Sequence, residues 1–166
     1  MYCLAKRAVP ILVALVLSAC GSTTKVTKPI DVDPAVSSGP RAYQIETIER
    51  PADVPEAFVS NVQGRLDAEL KERGLLGDDK SATHRVQVRI TEYRMRHGVA
   101  RVMLGVLAGK DGVKSTVKVL DRKTGELVGE SNVSTFNAAA IGGPGAIAEM
   151  HGEEIVEFLA GNKTRP

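Results

Sequence analysis

Residues 85–95, RVQVRITEYRM, decide the fold of this chain because their apolar and polar side chains alternate. From Val86 to Ile90 every second residue is apolar, which predicts a β-strand with one buried face. The apolar positions then change phase and continue at Tyr93. Because a β-bulge adds one residue to a strand, a bulge near residues 91 and 92 explains this change.

Two more strands follow and form a predicted hairpin. Val113, Val117 and Val119 lie on one face of the first, and residues 126–136 form the second. The segment between them, DRKTG at 121–125, contains the Asp and Gly residues that β-turns prefer.

Two segments have the period of an amphipathic helix. The first has an apolar residue at every fourth position: Phe58, Val62, Leu66 and Leu70. Asp53 and Glu56 match a capping box at its start, and Gly74 is suited to its end. The second helix follows the glycine-rich residues 142–145 and extends to about Leu159.

A short alternating segment, residues 43–48, predicts one further strand before the first helix. The order of elements is therefore β-α-β-β-β-α. Two helices cannot cover both faces of a four-stranded sheet, so we expect both on one face. The predicted fold is an α+β two-layer sandwich with a four-stranded, mainly antiparallel sheet.

The first 19 residues have the features of a secretory signal peptide. Lys6 and Arg7 precede an apolar run of only ten residues, 8–17, whereas a membrane-spanning helix needs about 20. The run ends in Leu17-Ser18-Ala19-Cys20, which resembles the lipobox of bacterial lipoproteins.

That resemblance implies cleavage before Cys20 and acylation of its sulfur by fatty chains such as palmitate. Two or more acyl chains hold a protein stably on a membrane. Gly21 and Ser22 follow, rather than the Asp that retains lipoproteins at the inner membrane. We therefore expect a lipoprotein on the periplasmic face of the outer membrane.

Residues 20–40 are rich in Gly, Ser, Thr and Pro and show no helical or strand period. This composition predicts an acylated Cys20 followed by a disordered tether. The predicted organisation is a signal peptide at 1–19, the tether at 20–40 and a single periplasmic domain at 41–166.

The chain resembles a family of small bacterial lipoproteins catalogued as domain of unknown function number forty-four ten. The resemblance covers about residues 43–159. It is carried by these short segments: Gly74-Leu75, Arg89-Ile90-Thr91-Glu92-Tyr93, Val117-Lys118-Val119 and Thr124-Gly125-Glu126. It implies a lipid-anchored envelope domain, distantly similar in layout to the N-terminal domain of the translocation protein TolB. The family brings no catalytic residues.

Composition and motifs argue against several classes of function. Lys and Arg total 22 against 20 Asp and Glu, and the charges balance once Lys6 and Arg7 are removed with the signal peptide. A neutral chain with no Trp and few aromatic residues lacks the surface that nucleic-acid binding requires. His84, His97 and His151 have no partner at metal-ligand spacing. We expect no metal, no cofactor and no enzymatic activity.

The remaining unusual segment is residues 99–109, of which eight are apolar. One interpretation is that it completes the hydrophobic core. The other is an exposed patch that binds a partner or a second copy, since apolar loops with charged borders mark contact sites. The residues predicted for this site are Arg101, Leu104, Gly105, Leu107 and Gly109.

Two functions remain open at this stage. The first is a non-catalytic interaction or envelope-assembly module, with another envelope protein or a second copy as partner. The second is a carrier or sensor of a small apolar ligand between the sheet and the helices.

Overall fold

The computed structural model describes residues 20–30, 41–95, 110–137 and 143–162, and all structural statements concern these residues. The described part contains five strands and two helices. In order they are β1 (Cys20–Lys28), β2 (Tyr43–Glu49), α1 (Glu56–Glu72), β3 (His84–Arg94), β4 (Asp111–Asp121), β5 (Leu127–Asn137) and α2 (Gly143–Leu159).

The strands form one mixed five-stranded sheet in the order β1-β5-β4-β3-β2. β2 pairs with β3 in parallel, and the other three pairs are antiparallel. The predicted two-layer α+β character is correct, but the predicted four-stranded sheet is wrong. The sheet has an additional edge strand, β1.

β1 occupies Cys20–Lys28, the first part of the segment expected to be a disordered tether, so that expectation is wrong for these residues. Residues 31–40 lie outside the described part. The sequence of β1 has no apolar alternation because two of its inward side chains, Ser22 and Thr24, form hydrogen bonds with polar side chains. Only Val26, farther along, packs against the core.

Both helices pack against each other and against the same face of the sheet, as predicted. Their apolar faces and the inward strand residues form one core. Its largest fully buried apolar side chains include Tyr43, Leu66, Leu70, Ile90, Ile147, Ile155, Phe158 and Leu159. The helices approach closely at Gly152, where an added Cβ would lie 3.0 Å from the Cβ of Arg65.

The predicted end of α1 is correct and the predicted capping box is wrong. Gly74 has φ +66°, the left-handed conformation that ends many helices. At the start, Pro55 is the N-cap and makes no side-chain cap. A residue before proline disfavours helical geometry, so Val54 cannot be the first helical residue after an Asp53 cap. Glu56 instead pairs with Arg50 at 2.6 Å.

The bulge and the hairpin follow the sequence prediction. The register of β3 and β4 shifts between Ile90 and Glu92. In the turn, the Asp121 carboxylate accepts hydrogen bonds from the backbone N–H of Lys123 and Thr124, both at 2.8 Å. Gly125 completes the turn with φ +74°. Neither of the helices in the described part is long and apolar enough to cross a bilayer.

A matched pair of substitutions tests whether β1 belongs to the folded domain. Thr24→Ala removes an inward hydroxyl that donates to Glu154, so we expect unfolding to become easier by about 1–2 kcal/mol. Thr23→Ala changes an exposed neighbour and should stay within about 0.5 kcal/mol of the unmodified chain. Urea denaturation measures both. Equal, negligible effects would mean that this segment is a tether.

Candidate functional site

A hydrogen-bonded group of polar side chains lies between α2 and the sheet. His151 is fully buried at its centre. Its Nε2 lies 2.8 Å from Oγ of Ser115, and its Nδ1 lies 3.0 Å from Oγ1 of Thr135. Ser22 donates a hydrogen bond to Oγ1 of Thr135 at 3.0 Å. These four residues, called the His151 cluster below, connect α2 with β4, β5 and β1.

The local sequence places each member of the cluster inward. Ser115 is in phase with the buried Val113 and Val117 of β4, and Thr135 is in phase with Val133 of β5. His151 lies one turn of α2 after Ile147, on the buried face of that helix. At one inward position in each of β4, β5 and α2, a hydrogen-bonded polar side chain therefore stands where an apolar side chain would otherwise pack.

The imidazole of His151 is held in its neutral form. Burial lowers the pKa of His151 to about 4, because the interior solvates the charged form poorly. A neutral imidazole has one N–H donor and one acceptor nitrogen. Hydroxyl groups can take either role, so the two neighbouring hydroxyls satisfy both ring nitrogens.

Further polar side chains extend the cluster along the inner side of β1 and β5. Thr24 donates from Oγ1 to Oε1 of Glu154, which is buried. Ser131, also buried, donates from Oγ to the carbonyl oxygen of Lys25 at 3.2 Å. This half of the interface between the layers is therefore polar and hydrogen-bonded, whereas the half near β2 and β3 is apolar.

The Ser115–His151 pair has the spacing of a nucleophile and its base, but its surroundings differ from those of a hydrolase. In a catalytic triad a carboxylate orients the imidazole through Nδ1, and the nucleophile faces the substrate. Here Nδ1 faces the hydroxyl of Thr135, and Ser115 is only 1% exposed. The geometry suits a structural link between helix and sheet.

A surface cleft of about 360 Å³ lies next to the cluster, between the two helices and β1. Its lining includes Ser22, Met150 and four glutamates. Two arginines join the helices here: Arg65 of α1 lies 2.5 Å from Glu153, and Arg73, the C-cap residue of α1, lies 2.5 Å from Glu157. Glu153 and Glu157 are thus used in helix–helix ion pairs. Glu69 pairs with the same two arginines, and Glu154 accepts the hydrogen bond from Thr24. Within the described residues, no group of three or more His, Cys, Asp or Glu side chains is placed to hold a metal ion.

One of the predicted site residues lies in the described part of the chain, and the other five lie outside it. Cys20 is the first residue of β1 and pairs with Asn137 of β5. Arg101, Leu104, Gly105, Leu107 and Gly109 lie outside the described residues, so their partner-binding role stays a prediction. The described residues that flank them, Met95 and Lys110, lie at the end of the sheet that also contains Cys20.

The His151 cluster is not among the sites predicted from the sequence. One signal was available. Ser115 interrupts an otherwise apolar alternation between Val113 and Val119, which marks a polar group directed into the core. Ser22 had no such signal, because β1 was not recognised as a strand.

The comparisons with known proteins agree with this architecture. Residues 26–141 match the family described as Domain of unknown function (DUF4410). The chain belongs to this family. The predicted family membership is thereby confirmed. No curated protein matches the sequence at a significant level.

Solved structures with a similar fold include two bacterial proteins. PelC from Paraburkholderia phytofirmans, a dodecamer, is 16% identical with a TM-score of 0.59, and the match covers 84% of this chain and 97% of PelC. Protein XCC0632 from Xanthomonas campestris is 8% identical with a TM-score of 0.54, covering 82% of this chain and 95% of that protein. At these identities the likeness establishes the fold alone.

The buried imidazole predicts a specific pH dependence of stability. Between its ordinary pKa of 6.5 and its folded value of about 4, the unfolded chain takes up a proton and the folded chain does not. Stability from this group is therefore complete above pH 6.5 and falls as the pH drops toward 4, by roughly 3 kcal/mol in all.

Urea denaturation at pH 7 and pH 4.5 measures this loss, and His151→Gln should remove it. His84→Gln is the control, since it removes an imidazole that is only half-buried and keeps His151. A His151→Gln chain that retains the full acid sensitivity of the unmodified chain would contradict the assignment.

Proposed function

We propose that this protein is a lipoprotein on the periplasmic face of the bacterial outer membrane, whose domain is a non-catalytic interaction or envelope-assembly module. Cys20 is the acylated residue. The domain works through contacts with another envelope protein or with other copies of itself.

The observation that carries this proposal is the lipobox-like sequence Leu17-Ser18-Ala19-Cys20 after a short apolar run. Its last residue, Cys20, is also the first residue of β1, and the match to the DUF4410 family begins within that strand at residue 26. A cysteine at this junction suits acylation better than a structural role. The mature chain, from Cys20 onward, has no second cysteine with which it could form a disulfide.

The non-catalytic assignment is supported by the His151 cluster. It contains the Ser115–His151 pair, in which a hydroxyl lies at hydrogen-bond distance from an imidazole nitrogen, and that pair is enclosed between α2 and the sheet. Its hydrogen bonds are used to connect four secondary-structure elements. We therefore assign it to stability and not to a reaction.

Self-association is included because of two observations. The PelC structures that share this fold are dodecamers. The sheet is open, with β1 and β2 at its edges, and the outer side of an edge strand has backbone groups that can pair with another chain. The apolar segment 99–109 offers a second contact, as the sequence analysis predicted.

The carrier hypothesis has weaker support. A carrier for an apolar ligand needs an apolar cavity between the layers. In the described part this interface is filled by buried side chains, and the cleft beside it is lined by glutamates, an arginine and a serine. The interaction module is therefore the better proposal.

Acylation is tested by mass spectrometry of the protein purified from the membranes of a Gram-negative host. We expect a chain that starts at Cys20 and carries the mass of a lipoprotein modification. Cys20→Ser should abolish both the modification and the retention in the outer-membrane fraction. An unmodified sulfur in the native protein would refute the proposed anchoring.

The predicted contact segment is tested by replacing Leu104 and Leu107 with Ser. We expect the double variant to fold but to lose its cross-linked partner or its higher oligomers in intact cells. The reason is that the two substitutions remove two large apolar side chains from the segment 99–109. Chemical cross-linking and light scattering measure these states. Lys123→Ser, in the exposed β4–β5 turn, is the control. A folded double variant with unchanged assembly would refute the contact role of this segment.

A further inference from the structure

The strand register brings one group of residues to the end of the sheet that begins with Cys20. Gly21 pairs with Phe136, Phe136 pairs with Gly112, and Gly112 pairs with Arg94. These residues form one row across β1, β5, β4 and β3. At a spacing of about 4.8 Å between strands, Arg94 lies on the order of 14 Å from Gly21.

The aromatic ring of Phe136 lies directly over the start of β1. An added Cβ on Gly21 would lie 2.7 Å from Cζ of Phe136, so glycine is needed for this close approach. Lys110, just before β4, places its Nζ 4.3 Å from the centroid of the same ring. A half-buried aromatic side chain and a cation thus stand next to the predicted acylation site.

Arg94 and Lys110 differ from the charged residues farther along the same face. Those residues form ion pairs: Lys114 lies 2.5 Å from Glu92, Arg89 lies 2.6 Å from Glu49, and Arg85 lies 3.0 Å from Glu46. Within the described residues, Arg94 and Lys110 are in no ion pair. Asp111, the residue after Lys110, is buried on the opposite face of the sheet. The two positive charges are therefore available to an external anion.

The position of β1 limits the distance between these residues and a membrane. Because the strand starts at Cys20 itself, no flexible spacer separates an acylated sulfur from the folded sheet. The end of the sheet then lies within the range of electrostatic attraction to a bilayer surface, about 8 Å at physiological salt. Aromatic and basic side chains are the ones that favour the headgroup region.

We propose that the row Gly21–Phe136–Gly112–Arg94, together with Lys110, is a membrane-contact surface. Arg94 and Lys110 bind the phosphate groups of anionic phospholipids, and Phe136 enters the headgroup region. This inference rests on the proposed acylation of Cys20. It adds that the domain lies on the bilayer in one orientation, with the end of β3 and the start of β4 toward the lipid.

The chain contains no Trp, so a single introduced Trp reports on one position. Acylated protein, with its modification verified by mass spectrometry, is placed in vesicles of phosphatidylcholine and phosphatidylglycerol that contain a headgroup spin-labelled lipid. We expect fluorescence of the Phe136→Trp variant to be quenched. The control is Leu120→Trp, on the same face and roughly 26 Å farther along β4, which should not be quenched.

Three outcomes of this experiment would overturn the proposal. Equal quenching at both positions would mean a domain without fixed orientation. Absence of quenching in the Phe136→Trp variant would place this end away from the lipid. Protection from an aqueous quencher without quenching by the lipid label would mean that a protein occupies the surface. Each of these outcomes tests the orientation of the domain and not its acylation, because acylation is verified beforehand by mass spectrometry.

A second measurement does not depend on the Trp substitutions. The unacylated mature chain, carrying Cys20→Ser, is sedimented with vesicles of phosphatidylcholine alone or with phosphatidylglycerol. We expect binding only to the anionic vesicles, weakened about fivefold by each of Arg94→Gln and Lys110→Gln. Lys118→Gln, at the far end of β4, is the matched control and should bind like the parent chain. Equal binding by all variants would contradict the proposal.

Discussion

The hydrogen bonds of His151 hold the two layers together on the side of the sheet where apolar side chains are few. The imidazole joins Ser115 of β4 to Thr135 of β5, and Thr135 accepts a bond from Ser22 of β1. A buried polar group is costly unless it is paired, so each member constrains the others. The edge strand β1, which begins at Cys20, pairs with β5 along its length, and Ser22 adds a side-chain bond from β1 to this cluster.

The constraint on β1 has a functional consequence. A disordered tether would let the domain move some distance from the bilayer, whereas a strand that starts at Cys20 brings the sheet to the lipid surface. The same end of the sheet contains Phe136, Lys110 and Arg94, and the described residue before the unassigned apolar segment, Met95, also lies there. Anchoring, lipid contact and partner binding are thus proposed for one end of the domain.

The regular apolar patterns predicted most of the fold. The helix face from Phe58 to Leu70, the β3 bulge and the 121–125 turn are where the sequence indicated, because each depends on neighbours close in the chain. The capping box at Asp53 failed because Pro55, two residues later, restricts Val54. β1 escaped detection because its inward residues contact polar groups from α2 and β5, which are more than a hundred residues away.

The α+β class, the family and the predicted lipidation of Cys20 follow from periodicity and local motifs in the sequence. The residues that surround Cys20 and those that surround His151 follow only from the packed fold. Ser115, Thr135 and Ser22 are ordinary strand residues until the sheet order β1-β5-β4 places them side by side beneath α2. In the same way, Arg94 and Lys110 come near Cys20 only through the register of four strands, because pairing between distant segments is fixed by packing and not by local sequence.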